Sequence, residues 1–349
     1  MRSATVLLLL LACSQPRSAP PVRPTAAFDL KIAGGSIIDG TGRPRYQADI
    51  GIRGDSIAAI GDLRAADAVT TIDAKGKIVS PGFIDLLGNS EGAVLVDPNV
   101  EGKVRQGVTT EVTGEGHSPG PLDEAMAAEM NRTRPPGFPE VTWRTLGEYM
   151  AFLERRGSAI NFALYVGATN PREIVLGDAD RKPSEAELRR MEMIVDQAMR
   201  EGAVGLTSAL IYPPGRFAST EELIALAKVA GKYGGAYWTH LRNEGDAIDA
   251  ALDEAFRIGR EAGVPVNIFH LKLGGSRRGQ MKQVVEKIEK ACRSGLDVAA
   301  NIYPYVATAT NLTSVVPAWA LEGGYLKFVE RLREPDTRRR IAQELRIRD

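Results

Sequence analysis

The distribution of apolar and polar residues divides the chain into stretches with different periodicities. From Phe28 to about residue 80, apolar and polar residues alternate in short runs bounded by Gly, Asp or Pro, which is typical of strands joined by tight turns. The runs are DLKIAGGSIIDG, ADIGIRGDSIAAIG and VTTIDAKGKIVSPG. Three or four such strands do not close a core alone. We therefore expect residues 28–80 to form the N-terminal part of a small β-sandwich.

After Pro81 the pattern changes to apolar strand segments that alternate with amphipathic helices. The strand candidates are GFIDLLG, VTTEVTG, INFALYVGA, AVGLTSALIY, AYWTHLRNE, VPVNIFHLK and DVAANIYPYVA. Helical periodicity is clear in EAELRRMEMIVDQAMREG, TEELIALAKVAGKYGG, DAIDAALDEAFRIGREAG and QMKQVVEKIEKACRSG. Strands that alternate with helices imply a parallel sheet. About seven such units favour a (β/α)8 TIM barrel over an open doubly wound sheet, and no GxGxxG follows the first strand to support dinucleotide binding.

Two stretches depart from this alternation. The segment from Ser118 to Arg156, rich in Pro and Met, is interpreted as an insertion after the second strand. After YPYVA, an irregular stretch precedes one basic helix, FVERLREPDTRRRIAQELRIRD, and an eighth strand is not visible. We expect residues 81–349 to form a barrel that lacks its last strand, either because it is open or because the chain has lost its C-terminal part.

The first 27 residues are predicted to be an export segment and a tether. Arg2 precedes an apolar run that ends in Leu-Leu-Ala-Cys13. The run is shorter than the roughly 20 residues of a membrane span and resembles a bacterial lipoprotein box. We expect export to the periplasm or cell envelope, with a lipid anchor at Cys13; the alternative is an ordinary signal with an incidental cysteine. Cys292 then has no disulfide partner, and its helical context predicts a buried small residue.

Composition narrows the classes of partner. The 349 residues include 44 basic and 44 acidic side chains, so the formal net charge is zero. A balanced charge gives no reason to propose nucleic acid or an anionic membrane surface as a partner. We expect a small-molecule substrate, with membrane contact only through the anchor.

The three histidines, His117, His240 and His270, each lie at or just after the end of a predicted strand. The active site of a TIM barrel lies at the C-terminal ends of its strands. His240 and His270 end consecutive strands, so we expect them side by side at a spacing that can hold one metal ion. Neutral imidazole suits zinc and similar ions. The alternative for each histidine is a structural or surface role.

A third ligand should come from another strand end. Glu115, in VTTEVTGEGH, is the best candidate because a carboxylate completes a His₂Glu set of the kind found in catalytic zinc sites. Its alternative is a solvated loop carboxylate. His117 is either a further ligand or a solvent-facing residue in a Gly-rich turn.

Several separated motifs resemble the amidohydrolase superfamily. KIAGGSIIDGTG, DIGIRGDSIAAIG and IDAKGKIVSPGFID are similar to its N-terminal signature. GVTTEVTGEG, GLTSALIYPPG, THLRNEG, FHLK and NIYPY resemble its N-acyl-D-amino-acid deacylase (D-aminoacylase) branch. The resemblance, from about Phe28 to the end, implies a metal-centred barrel flanked by a small β-sandwich. It also implies cleavage of the amide bond of N-acyl-D-amino acids or similar linear amides by metal-activated water.

The resemblance implies roles for individual residues. The family's histidine ligands on strands five and six correspond to His240 and His270. The lysine associated with the substrate carboxylate corresponds to Lys272. The tyrosine of the YPY motif, associated with substrate binding, corresponds to Tyr303 or Tyr305.

The sequence also departs from the family. The usual HxH after strand one falls on Leu87 and Asn89, and the metal-binding cysteine after strand two falls on Gly116. We therefore predict that Glu115 takes over that ligand role. The family's general-base aspartate on strand eight would lie beyond Asp349.

The sequence thus predicts one zinc ion held by Glu115, His240 and His270, with Lys272 and Arg242 as candidates for binding the carboxylate of the substrate. A general acid–base residue is still required.

Glu91, near the end of strand one, is the fallback for that role, as is Asp85, which we expect instead to brace the strand. Two alternatives stay open: a cyclic amidase or dipeptidase, whose relatives retain HxH and a carboxylated lysine, and a degenerate ligand-binding lipoprotein. Loss of HxH favours the second alternative, whereas the retained His240, His270 and Lys272 oppose it.

Overall fold

The computed structural model describes residues 26–346, which divide between Pro81 and Gly82 into two compact units. The division lies next to the change in hydrophobic pattern that the sequence shows. The predicted export segment with Cys13, and Asp349 at the other end, lie outside the described residues. Within them, no helix is both long and apolar enough to span a membrane.

The first unit contains a five-stranded sheet. Its strands are β1 (Phe28–Ile37), β2 (Tyr46–Arg53), β3 (Ser56–Gly61), β4 (Ala68–Asp73) and β5 (Ile78–Val79). The central strand β1 pairs antiparallel with β2 and parallel with β4 and β5, and β3 extends the sheet beyond β2.

The register of this sheet gathers isoleucines on one face. Ile32 lies opposite Ile50 and Ile72, and Ile50 lies opposite Ile60. Residues directly opposite each other on paired strands point to the same face. Among the described residues this unit contains a single sheet, and the sandwich stays a prediction.

The second unit contains parallel strands. They are β6 (Phe83–Asp85), β7 (Val108–Thr113), β8 (Asn161–Leu164), β9 (Val166–Gly167), β10 (Gly205–Ala209), β11 (Ala236–His240), β12 (Val266–Ile268) and β13 (Val298–Ala300). Strands β6 to β8 form one sheet and β9 to β13 the next, each strand pairing in parallel with its neighbour in sequence. Only Tyr165 separates β8 from β9. Every predicted strand segment is confirmed, and no strand follows β13 within residues 26–346.

The helices lie between these strands. They are α1 (Glu101–Val104), α2 (Glu124–Thr133), α3 (Leu146–Arg156), α4 (Thr169–Leu176), α5 (Glu185–Arg200), α6 (Thr220–Gly231), α7 (Ile248–Ala262), α8 (Met281–Arg293), α9 (Ala318–Leu321), α10 (Gly324–Arg333) and α11 (Pro335–Arg346). The amphipathic segments predicted from the sequence are α5 to α8. Fully buried strand residues such as Leu206 and Val266 share one core with Leu223, Leu252 and Val284 of the helices. This is the alternating architecture of a (β/α) barrel.

The Pro- and Met-rich insertion is more regular than expected. It contains α2 and α3, and α3 begins with a capping box in which Thr145 and Glu148 satisfy each other's backbone N–H groups. Leu146, Tyr149 and Leu153 are buried at helical spacing. The prolines of the segment lie outside the two helices, so they did not prevent helix formation.

The basic C-terminal helix was predicted as one element and is two. Glu334 ends α10 in an extended conformation, and Pro335 begins α11. A proline disfavours helical geometry in the residue before it but is well tolerated in the first turn. The break therefore follows from Pro335.

The prediction of a buried Cys292 is wrong. Cys292 is exposed on α8, whose buried residues are Val284, Ile288 and Ala291. The residue after Ala291 is rotated by about 100° around the helix axis, which turns Cys292 away from the core.

Candidate metal centre

Three strand ends position Glu115, His240 and His270. Glu115 follows the end of β7 by two residues, His240 is the last residue of β11, and His270 follows β12 by two residues. The backbone N–H of His270 donates to Asn301 Oδ1 at 2.6 Å, and His270 adopts a φ of 37°. That left-handed conformation is uncommon for a residue other than glycine. It turns the imidazole away from the direction that a continued strand would give it.

The three side chains converge on one point. Glu115 Oε1 lies 2.8 Å from His240 Nδ1 and 3.3 Å from His270 Nε2, and the two nitrogens are 3.1 Å apart. Tetrahedral zinc with ligands at about 2.0–2.1 Å holds its donor atoms roughly 3.3 Å from one another. The donor triangle therefore has the size and the chemistry for a divalent cation. The structure brings the predicted trio together.

The contacts within the trio shift the pKa values of Glu115 and His270 in favour of the charged form of each. Burial acts to raise the pKa of Glu115, but hydrogen bonds from His240 and His270 outweigh it and lower that pKa to about 2. Burial acts to lower the pKa of His270, but Glu115 and Glu244 outweigh it and raise that pKa to about 9. The carboxylates of Glu115 and Glu244 thus favour positive charge at the ring of His270 between them.

The two positions that correspond to the family's HxH carry other roles. Asn89 Nδ2 donates to Glu115 Oε2 at 3.3 Å and so orients the carboxylate. Leu87 packs against the buried cluster of Val112, Tyr165 and Phe269. An amide and an aliphatic group replace the two imidazoles, so this side of the centre supports Glu115 rather than adding nitrogen ligands.

Glu244, which the sequence reasoning missed, lies on the outer side of the trio. Its Oε1 is 3.2 Å from His270 Nδ1 and 3.5 Å from His240 Nε2, the nitrogens that do not face Glu115. It also accepts a hydrogen bond from Lys272 Nζ at 2.6 Å. Burial works against its charge, but the two imidazoles and Lys272 lower the pKa of Glu244. The available signal was its position four residues after His240 in THLRNEG.

Lys272 and Arg242, the two candidates for the substrate carboxylate, differ in their surroundings. Lys272 Nζ lies 2.9 Å from His270 Nδ1, at the edge of the centre. Arg242 instead donates to both carboxylate oxygens of Glu254 and to the carbonyls of Arg216 and Ala218. The guanidinium of Arg242 therefore binds Glu254 and two loop carbonyls, and the structure does not place it beside the trio.

The tyrosines of the YPY motif also differ from each other. The ring of Tyr303 lies 6.3 Å from that of His270, and its buried hydroxyl has no hydrogen-bond partner among the described residues. Tyr305 stacks on Tyr303 and is 67% exposed. Tyr303 is therefore the one positioned beside the centre.

The remaining candidates lie outside the trio. Thr113 donates a hydrogen bond to the Glu91 carboxyl group, and burial raises the pKa of Glu91. Asp85 accepts a hydrogen bond from Lys103 at 2.6 Å, in keeping with a bracing role. His117 is half-exposed and pairs with Glu173 at 2.6 Å.

A buried carboxylate on β7, Glu111, was also missed. It is fully buried, accepts a hydrogen bond from the Ser90 backbone at 2.8 Å and lies 3.2 Å from Lys103 Nζ. Gly88 passes so close that a Cβ there would lie 2.0 Å from the carboxyl carbon of Glu111. Glu111 and Thr113 alternate along β7, and Glu115 continues the same period-two spacing just beyond the end of the strand.

Comparisons with known proteins agree with this architecture. No protein-family model matches the chain. A D-aminoacylase of Alcaligenes xylosoxydans xylosoxydans is 40% identical over 288 residues, covering 82% of this chain and 59% of that protein. A crystal structure of D-aminoacylase, described as defining a subset of amidohydrolases, superposes with a TM-score of 0.74 at 41% identity, over 80% of this chain and 59% of that one.

A second solved structure is similar to the same extent. The N-acyl-D-glutamate deacylase of Bordetella bronchiseptica, crystallised with zinc and a phosphonate mimic of the tetrahedral intermediate, has a TM-score of 0.73 at 38% identity. The match covers 80% of this chain and 59% of that one. This chain thus spans about three-fifths of the length of these relatives. Over 82% of its length, the chain is homologous to D-aminoacylase, whose solved structure is that of an amidohydrolase.

Proposed function

We propose that the protein hydrolyses the amide bond of N-acyl-D-amino acids, using a zinc ion held by Glu115, His240 and His270. The observation that carries the proposal is the convergence of one carboxylate oxygen and two imidazole nitrogens within 3.3 Å of one another. The solved zinc complex of a deacylase 38% identical to this chain supports the choice of metal.

Each side chain contributes one physical task. When bound, a divalent cation supplies Lewis-acid activation of water and of the amide carbonyl. Glu115 supplies the negative ligand, held in its orientation by Asn89. His240 and His270 supply neutral nitrogen donors, His240 as the last residue of β11 and His270 two residues after β12, so both are anchored by neighbouring strands of one sheet.

Lys272 is the group that we assign to the carboxylate of the substrate. Its ammonium carries three donors, of which one binds Glu244. A donor that remains can hold the amino-acid carboxylate and so place the scissile amide beside the trio. Tyr303, with its unpaired buried hydroxyl, is the second candidate for a substrate contact.

Glu91 is the fallback candidate for the residue that donates a proton to the leaving amine. A carboxyl group with a raised pKa retains its proton closer to neutrality and is therefore suited to donate one. The Glu91 carboxyl group accepts a hydrogen bond from Thr113, the last residue of β7, two residues before Glu115.

Release of free amino acid from N-acetyl-D-amino acids tests the proposal. The zinc-loaded protein should release D-amino acids, and His270→Ala should abolish the release. His117→Ala is the matched control, because His117 pairs with Glu173 outside the trio and should leave the rate unchanged. A rate that survives His270→Ala would show that the assigned site is wrong, and substrate binding without release would favour the degenerate ligand-binding alternative.

We also propose export through the N-terminal segment, with lipid attachment at Cys13. Lipid labelling of the expressed protein, compared with Cys13→Ser, tests the attachment. Label that persists in Cys13→Ser would contradict it.

A further inference from the structure

We propose that Glu244 is a positioning residue that fixes the ring orientation and proton position of both His240 and His270. The inference rests on the proposed metal site and adds to it a single carboxylate that serves two ligands. It stands on the geometry of the two imidazole rings and of the loop that carries Glu244.

The two imidazoles present opposite nitrogens to the centre. His240 faces Glu115 with Nδ1, and His270 faces it with Nε2. The outer nitrogens are therefore Nε2 of His240 and Nδ1 of His270. Both lie beside the same oxygen, Glu244 Oε1, at 3.5 Å and 3.2 Å.

Ligation requires a specific proton position on each ring. A neutral imidazole that binds a cation through one nitrogen carries its proton on the other. His240 must then be the Nε2–H form and His270 the Nδ1–H form. An anionic acceptor beside both outer nitrogens favours these two forms over the alternatives.

Lys272 competes for one of these positions but cannot replace Glu244. Its Nζ lies 2.9 Å from His270 Nδ1, and an ammonium has no acceptor. Once His270 carries a proton on Nδ1, only Glu244 of these two groups can receive it. Lys272 Nζ lies 2.6 Å from Glu244 Oε1, as a further donor to the same carboxylate.

The surroundings of His240 Nε2 also support a role for Glu244. This nitrogen is buried and has no hydrogen-bond partner at normal distance among the described residues. A buried polar atom in a native structure calls for a partner. Glu244 Oε1, 3.5 Å away, is the carboxylate oxygen that faces it.

The loop around Glu244 is held by hydrogen bonds to its backbone. Asn243 Oδ1 accepts hydrogen bonds from the backbones of Gly245 and Ala247, at 2.9 and 3.0 Å. The Glu244 carbonyl accepts one from Gly274 N at 2.8 Å, in the loop that follows His270. The loops after β11 and β12 are therefore joined at the residue that contacts both rings, which makes the carboxylate preorganised.

Imidazole nitrogen NMR of the zinc-loaded protein, combined with zinc affinity by chelator competition, tests the inference. The chain has three histidines, and zinc is diamagnetic, so the ring nitrogens can be assigned with His117→Asn as the reference variant. We expect an Nε2–H form for His240 and an Nδ1–H form for His270. Glu244→Gln should weaken zinc binding by roughly 10–100-fold, as is typical of outer partners of metal-binding histidines.

Lys272→Met separates the two contacts of Glu244. If Glu244 acts on the rings, Lys272→Met keeps both N–H acceptors and should leave zinc affinity within about threefold of wild type, well short of the outer-partner range. Equal weakening by Lys272→Met and Glu244→Gln would overturn the inference, as would the opposite ring forms in the wild type. Thermal unfolding of the zinc-free variants establishes that each is folded.

The outcomes distinguish this inference from the proposed function. Wild-type protein that binds no zinc overturns both. Wild-type protein that binds zinc and releases D-amino acid, together with Glu244→Gln of unchanged affinity and ring forms, overturns the positioning role alone.

Discussion

Glu115 receives contacts from both sides of its carboxylate. One oxygen faces His240 and His270, and the other accepts a hydrogen bond from Asn89. A carboxylate held at both oxygens loses little conformational freedom when it binds a cation. Its charge would also offset that of a bound cation in a site with little solvent.

Removing the charge of Glu115 should reduce zinc affinity more than removing the hydrogen bond from Asn89 that orients its carboxylate. We expect Glu115→Gln to reduce zinc affinity by more than the roughly 10–100-fold typical of losing an outer hydrogen-bond partner. Asn89→Ala should fall within that range, since it removes only orientation. Chelator competition measures both, with His117→Asn as a control that keeps wild-type affinity. Equal effects of the two variants would contradict the assignment of Glu115 as a ligand.

The trio could be predicted from the sequence because each member lies at the end of a predicted strand. Glu244 was missed although it follows His240 by four residues, since it lies in a loop whose path depends on contacts with the loop after β12, such as that of Gly274 with Glu244. Arg242 shares the polar register of a strand end, yet its long side chain reaches Glu254 instead. Strand register predicts the position of a residue's backbone, whereas tertiary contacts decide where the charged end of a long side chain lies.

Helices α4 and α6 are joined by a buried ion pair, another feature that the sequence does not reveal. Arg172 Nη1 donates to Glu222 Oε2 at 2.6 Å, and both side chains are at most 1% exposed. Arg172 also donates to the carbonyls of Ala179 and Arg181. A buried charge of this kind depends on its partner.

Arg172→Met should therefore destabilise the protein by about 3–5 kcal/mol, because it leaves Glu222 buried and unpaired. Urea unfolding measures the change. The double variant Arg172→Met/Glu222→Leu should recover part of the loss, since no uncompensated charge remains. A single variant as stable as the wild type would contradict the role of the pair.

The first turn of α5 should respond to pH. Hydrogen bonds from Arg181 and the Ser184 backbone lower the pKa of Glu187 from 4.5 to about 2. A depressed carboxyl pKa in the folded state stabilises the protein above pH 4.5, and the contribution is lost as pH falls from there towards about 2. The stability difference between wild type and Glu187→Gln should thus shrink between pH 6 and pH 3 in urea unfolding. A difference independent of pH would contradict this account.

At the level of elements, most strands and helices were predicted from hydrophobic periodicity. Strands β6 to β13 and helices α5 to α8 have strong periodicity and were found where expected. Helix α3 was not predicted, because the segment is rich in proline, although Leu146, Tyr149 and Leu153 have helical spacing and are buried. The exposure of Cys292 depends on which side of α8 faces the core, a rotation that one residue does not specify.

For the whole molecule, metal binding should couple to folding. The donor atoms lie at or just after the ends of β7, β11 and β12, which are far apart in sequence, so the unfolded chain does not assemble them. A ligand that binds only the folded state stabilises it by about 2.7 kcal/mol at a hundredfold excess over its dissociation constant.

Zinc should accordingly raise the thermal unfolding temperature of the wild-type protein, and a chelator should reverse the rise. His117→Asn should respond like the wild type, whereas His270→Ala should show no zinc-dependent rise. A rise of equal size in His270→Ala would place the stabilising ion elsewhere in the protein.

The general architecture was accessible from the sequence because alternation of strands and helices allows few topologies. The second layer of the predicted sandwich stays a prediction, since the described residues contain one sheet of it. Side-chain convergence at the centre required the structure, because strand ends give proximity without the distances that decide ligation.

Elemental analysis tests the central claim most directly. Wild-type protein refolded with excess zinc and freed of unbound metal should retain about one zinc ion per chain, as a three-ligand site predicts, and His270→Ala should retain none. Wild-type protein that retains no zinc would contradict the assignment of Glu115, His240 and His270 as a metal site.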